Sequence, residues 1–156
     1  MSNNSLAIIL VSNGPGELAT WVKPLAQELH KQIAVRPKVH NSSISLNLVL
    51  VPCPNATGHE IVAAKKWLQF ENIIKAKNFL QLLLKPKKYG SWPSNGLVVF
   101  LGGDQFWSVL LSARLGYLHM TYAEWIVRWP FWNNRILAMS ESIVAKLPKR
   151  IQHRCS

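Results

Sequence analysis

Three short runs hold the residues whose types and spacing could do chemistry: Asn13-Gly14-Pro15-Gly16-Glu17, Gly102-Gly103-Asp104 and Tyr122-Ala123-Glu124-Trp125, the last continuing to Arg128. Asp104 follows two glycines, which clear room around a carboxylate. Two roles are open to it. It could cap a following helix by accepting a hydrogen bond from one of the first backbone N–H groups, or it could act as a general base toward a hydroxyl. Residues 122–132 are dense in aromatics, and Trp125, Trp129 and Trp132 fall at i, i+4 and i+7, one face of a helix if one forms. Pro130 stands against an uninterrupted helix. This stripe reads as a core face, as a contact face for another domain, or as a platform for sugar rings or acyl chains with Glu124 and Arg128 as polar contacts.

The first run contains Gly14-x-Gly16-x-x-Ala19, a formal match to the dinucleotide fingerprint. Pro15 removes an N–H that a phosphate would use, and the second apolar run ends in Val51-Pro52-Cys53 without the expected acid. What remains is a tight turn that needs glycine, or a backbone that lets a bulky anionic substrate approach a helix N-terminus. The five histidines show no metal-ligand spacing, and no Ser–His–acid set is legible. No metal and no cofactor is expected. Cys53 and Cys155 read as ordinary thiols.

These runs must be positioned by the elements before them. Residues 6–12 form a continuous apolar run closed by the glycine turn, the mark of a strand buried on both faces. Apolar residues at helical spacing over 18–34 predict a helix, which either kinks at Pro24 or becomes regular near Lys23. Further strands are predicted at 46–52, 96–101, 117–122 and 135–139, with a helix over 105–115 stopped by Gly116. Residues 60–84 are helical in period but broken around Glu71-Asn72. This alternation predicts an α/β fold: a Rossmann-like parallel sheet with helices on both faces, spanning residues 1–148, followed by a basic tail at 149–156 that shows no core pattern. In such sheets ligands bind beyond the C-terminal strand ends, and all three runs sit there.

The charge is lopsided: Lys+Arg 18 against Asp+Glu 7, formally +11. That surplus points to an anionic partner. Residues 65–88 interleave lysines with Trp67, Phe70, Phe79 and several leucines, which reads either as core-facing helices with a solvated lysine face or as an interfacial helix dipping into an anionic membrane. No nucleic-acid motif accompanies the charge, so nucleic acid is not an expected partner. No apolar run reaches the ~18 residues that span a bilayer, and the first residues lack the cationic start of a signal peptide. The expected location is cytoplasmic, with peripheral contact at the inner face of the membrane.

Taken together, Ser12-Asn13-Gly14-Pro15-Gly16-Glu17, Leu101-Gly102-Gly103-Asp104-Gln105-Phe106 and Tyr122-Ala123-Glu124-Trp125 resemble, in order and spacing, motifs of lipid-A-disaccharide synthase and its relatives. The resemblance runs from about residue 6 to 148. It implies the N-terminal half of a two-domain GT-B fold and inverting transfer of a sugar from a UDP-sugar to a lipid-linked sugar acceptor. Asp104 would be base or orienter of the acceptor hydroxyl. Asn13, Gly14, Gly16, Glu17, Gly103, Glu124, Trp125 and Arg128 would contact substrate. The UDP-sugar would be held by a C-terminal partner domain, so this domain is not expected to complete the reaction alone. The alternative expectation is a non-catalytic module that binds a membrane surface.

Overall fold

The computed structural model of the protein describes residues 5–35, 43–52, 62, 64 and 70–156. Six parallel strands form one sheet: β1 (Leu6–Ser12), β2 (Ile44–Leu50), β3 (Asn72–Ile74), β4 (Asn95–Phe100), β5 (Leu118–Ala123) and β6 (Arg135–Ala138). Their spatial order is β3-β2-β1-β4-β5-β6. The Rossmann-like α/β fold expected from the alternation of apolar runs is therefore present. Strand β1 is central, paired along its length with β2 from Leu6↔Ile44 to Ser12↔Leu50 and with β4 from Leu6↔Asn95 to Val11↔Phe100.

The continuous apolar runs follow from burial on both faces. In β1, Ala7, Ile9 and Val11 enter one core layer with Val49, Val98, Phe79 and Leu111. Ile8 and Leu10 enter the opposite layer with Leu18, Val22, Ala26, Leu48 and Val99. Each fully buried side chain of this kind contributes about 1.5–3 kcal/mol of transfer free energy. One layer is covered by α2 (Phe79–Leu84) and α3 (Gln105–Leu115), the other by the helical segment α1 over residues 15–35.

Segment α1 opens as Pro15–Glu17, widens into a π turn at Leu18–Val22, and is regular α-helix over Lys23–Val35. The Lys23 N–H reaches back to the Leu18 carbonyl, the wide i→i−5 bond of a π turn. The regular part thus begins at Lys23, immediately before Pro24, which has no N–H to give to a ladder.

Two expectations are corrected. The break around Glu71-Asn72 is a strand, β3, not a gap between helices. It pairs with β2 through Asn47↔Asn72, and the Asn72 side-chain amide donates to Asn47 Oδ1 at 2.8 Å. Three residues inside a helical period carry too little pattern to announce a strand. The second correction concerns the basic residues 149–156. They form a 3-10 turn (Lys149–Arg154) that buries Ile151 beside Ile136, Ile143 (in α4, Glu141–Ala145) and Leu147. The Ser156 N–H then donates to the Ile136 carbonyl at 3.0 Å, tying the segment to β6. Only one residue in that stretch is aliphatic, so no apolar period marks it.

In 70–88, Phe79 and Leu82 are buried while Leu80 and Leu84 are exposed beside lysines, a core-facing helix with a solvated basic face. Residues 65–69 and Cys53 lie outside the described residues. Among the described residues, no helix is long and apolar enough to cross a membrane.

Strand β4 carries a steric requirement. Gly96 is buried against the Tyr117 ring, and a Cβ at Gly96 would overlap the ring carbons Cδ2 and Cε2. The ring is held in place because its hydroxyl donates to the Pro93 carbonyl at 2.7 Å, and burial raises the phenol to about 12. Gly96→Ala is expected to cost about 1–3 kcal/mol, as overpacking does, with the loss read from a chemical denaturation midpoint.

Candidate functional site

The strand order reverses direction at β1. The chain leaves β1 toward β2 on one side, returns, and leaves β4 toward β5 on the other. The connections beyond these strand ends part, and a crevice opens at the C-terminal edge of the sheet. A cleft of about 450 Å³ lies there, walled by Glu17, Gly102 to Gln105, Tyr122, Glu124 to Ile126 and Arg128.

Glu17 comes from the first turn of α1, and its side chain folds back over two glycines. Its Oε2 lies 2.7 Å from where a Cβ of Gly14 would sit, and its Cγ lies 2.6 Å from a Cβ of Gly102. Any side chain at Gly102 would displace Glu17 from the cleft. The carboxylate also brings negative charge to the helix N-terminus, where it is stabilised and where it would repel an incoming phosphate. This is a second physical reason, besides Pro15, that the formal dinucleotide match does not describe a pyrophosphate cradle.

Gly103 has φ +97°, a left-handed conformation that a residue with a Cβ adopts only with strain. Asn13 and Val51 both approach to 3.1 Å of its Cβ position. Asn13 thus lies behind the glycine pair and does not line the cleft. Nor do Gly14 and Gly16; Gly16 is exposed, and a Cβ there would meet no other group among the described residues. Two buried oxygens at the end of β1, Ser12 Oγ and Asn13 Oδ1, have no hydrogen-bond partner among the described residues.

Asp104 is the N-cap of α3. Its Oδ1 accepts the Phe106 N–H at 3.0 Å. The second carboxylate oxygen has no hydrogen-bond partner among the described residues, and Asp104 is exposed on the cleft wall. The cap is therefore present, and it leaves one oxygen available. Glu17, Asp104 and Glu124 are three of the seven acids in the chain, gathered on one cleft with Arg128.

The aromatic run is not a helix. After β5 it crosses the sheet edge as an irregular loop and forms a 3-10 turn at Pro130–Trp132. Trp125, Trp129 and Trp132 therefore do not make a core stripe: they are 78%, 40% and 59% exposed. Trp125 stands on the cleft wall beside Glu124 and Arg128, while Trp129 packs its ring 5.9 Å from Phe106.

Gln105 holds this loop to the site, and sequence reasoning did not single it out. Buried to 4% exposure, it donates from Nε2 to Thr121 Oγ1 at 2.7 Å. Its Oε1 accepts both the Arg128 N–H at 2.9 Å and the Trp129 N–H at 3.1 Å. One amide thus fixes the loop bearing Glu124, Trp125 and Arg128 to the helix capped by Asp104. The position after a helix N-cap gave no signal in sequence, since glutamine is ordinary in a first helical turn.

Beneath the loop a second polar network forms around His119, which is 1% exposed. Asn133 donates from Nδ2 to the Trp129 carbonyl at 2.8 Å and turns its Oδ1 to His119 Nδ1 at 2.9 Å. On the other side of the ring, Nε2 meets Ser108 Oγ at 2.8 Å. Burial pushes the imidazole down to about 4, against the pull of the Asn133 bond. With the ring neutral, Nδ1 donates to Asn133 Oδ1, and the single Ser108 hydroxyl proton is shared between His119 Nε2 and the Gln105 carbonyl, each 2.8 Å from Ser108 Oγ. His119 is a core histidine supporting the loop, as its isolation in sequence suggests. Among the described residues, no cluster of His, Cys, Asp or Glu could hold a metal ion.

A scan against protein-family models finds no match to this chain, and a search of the curated proteins finds none either.

Two outcomes follow from these networks. Gln105→Leu leaves the Arg128 and Trp129 N–H groups without their acceptor. The expected cost is about 1–3 kcal/mol, and amide exchange at those two positions should accelerate selectively. For His119, the unfolded chain takes up a proton near the ordinary value of 6.5 while the folded ring resists until about 4. Stability is therefore full above 6.5 and is lost as pH falls toward 4. Between pH 7 and 5 the loss from this group should be about 2 kcal/mol. Urea melts across that range should show a shallower pH dependence in His119→Gln than in the parent.

Proposed function

We propose that this domain holds the acceptor sugar of an inverting glycosyltransferase of the lipid-A-disaccharide synthase type, with Asp104 as the base toward the acceptor hydroxyl. The observation that carries the reading is Asp104 itself: a carboxylate at a parallel-strand end, on a cleft, anchored through one oxygen and without a hydrogen-bond partner at the other among the described residues. A cap bond of this kind fixes the carboxylate without consuming it, which is what a positioned base requires.

The chemistry of the walls supports a sugar more than a phosphate. Carboxylates accept hydrogen bonds from ring hydroxyls, and the open face of Trp125 suits the C–H face of a pyranose. Glu17, Asp104 and Glu124 outnumber Arg128 and oppose a diphosphate. In this reading the acceptor oxygen attacks the anomeric carbon of the UDP-sugar as its proton passes to Asp104. The bond from that carbon to the phosphate oxygen breaks, and UDP departs with the electron pair. The donor would be bound by a second, nucleotide-binding domain.

A non-catalytic reading has one observation in its favour, the cap bond, which gives Asp104 a structural role of its own. Asp104→Asn separates the two. The asparagine Oδ1 keeps the bond to Phe106, so stability should change little, whereas Asp104→Ala should lose about 1 kcal/mol. Transfer of sugar from a UDP-sugar to a glycolipid acceptor, measured with a donor-binding domain present, should fall by about 10²–10⁴ in Asp104→Asn. Undiminished transfer in that variant would remove Asp104 from the chemistry.

A further inference from the structure

Away from the cleft, α2 and the turn after it carry a second concentration of charge. Lys75 and Lys77 precede the helix, and Lys85, Lys87 and Lys88 follow it, the last two in a 3-10 turn at Pro86–Lys88. All five are exposed, and residues 72–103 hold no Asp or Glu. Arg114 of α3 joins them, its Nε donating to the Leu83 carbonyl at 2.7 Å. Among the described residues none of these six cations forms an ion pair. The outer face of α2 leaves Leu80 57% and Leu84 76% exposed, one turn apart. Beside Leu84 lies a hollow of about 270 Å³ walled by Gln81, Leu84, Lys85 and Lys88. It shares no residue with the cleft.

We propose that this face is a docking surface for an acidic helical segment of a partner protein, one that presents an apolar stripe flanked by glutamate or aspartate. Cations without a counter-charge call for acids in the occupant, and two exposed leucines one turn apart call for apolar side chains at the same spacing. The hollow suits a glutamate: Leu84 meets its methylenes, and the Lys85 and Lys88 ammonium groups meet its carboxylate. A lipid surface matches less of this. The apolar face of α2 that would enter a bilayer, Phe79 and Leu82, is already buried in the core, and a fluid surface fills no hollow. Single-stranded nucleic acid would use open aromatic faces between the cations. The aromatic ring beside these lysines, Tyr89, is half-buried, and its hydroxyl donates to Gln81 Oε1 at 2.6 Å. A second copy of this chain would bring a net charge of +11 against the same sign.

The proposal is independent of the glycosyltransferase reading, since it concerns a different surface and needs no sugar. The test is fluorescence anisotropy with a fluorescein-labelled synthetic helical peptide that carries leucines at i and i+4 flanked by glutamates. A peptide of the same composition with its leucines moved off that spacing is the comparison, and single-stranded DNA and phosphatidylglycerol vesicles serve as competitors. Salt-sensitive binding of the first peptide is expected, with the rearranged one about tenfold weaker or more. Leu84→Ser should weaken binding by about tenfold, and Lys85→Glu combined with Lys88→Glu by at least as much. Lys146→Glu combined with Lys149→Glu makes the same change of charge on another surface and should leave affinity within about twofold. All five side chains are exposed, so these variants should fold, and circular dichroism melts check that they do. Absence of binding, equal affinity for the rearranged peptide, an equal loss in the Lys146 and Lys149 variant, or stronger binding to DNA or vesicles than to the peptide would each overturn the proposal.

Discussion

The pairing of β1 with β4, on the side opposite β2, is the constraint on which the rest of the structure depends. It places the start of the chain at the centre of the sheet, so β1 is buried on both faces and must be apolar throughout. It also sends the two halves of the chain in opposite directions from adjacent strand ends. A crevice at that point is a geometric consequence of the order β3-β2-β1-β4-β5-β6. The glycine pair after β4 then decides how close the two loops come. Without side chains at Gly102 and Gly103, Glu17 and Asn13 pack directly against backbone, and the left-handed turn at Gly103 delivers Asp104 to the head of its helix.

Polar groups do the fine positioning, and few of them are charged. Gln105 and Asn133 grip the same short stretch of loop from either side, one through the Arg128 and Trp129 N–H groups and the other through the Trp129 carbonyl. A loop with so many apolar side chains in water would gain by collapsing over the cleft. Buried amides resist that because releasing them leaves donors and acceptors without partners. The neutral His119 extends the same logic under the loop: it forms bonds at both ring nitrogens without the cost of burying a charge.

Charge is segregated along the same edge of the sheet. The cleft concentrates carboxylates, whereas the surface beyond it is cationic and aromatic. Trp125 stands on the cleft wall and is 78% exposed.

Much of this was legible in the amino-acid sequence, and the reason is local. Strand β1, helix α3 with its Gly116 stop, and the identity of the three strand-end runs follow from apolar period and from glycine, which act over a few residues. Asp104 as a cap is equally local. What the sequence left open required partners distant along the chain. Strand β3 exists because Asn72 finds Asn47. The segment 149–156 folds because Ile151 finds Ile136. The aromatic run is a loop and not a helix because Gln105 captures its backbone N–H groups, so the helical spacing of its tryptophans has no helix behind it. Residue type and period determined which groups could do chemistry, and long-range pairing of polar backbone and side chains decided which of them face the same cleft.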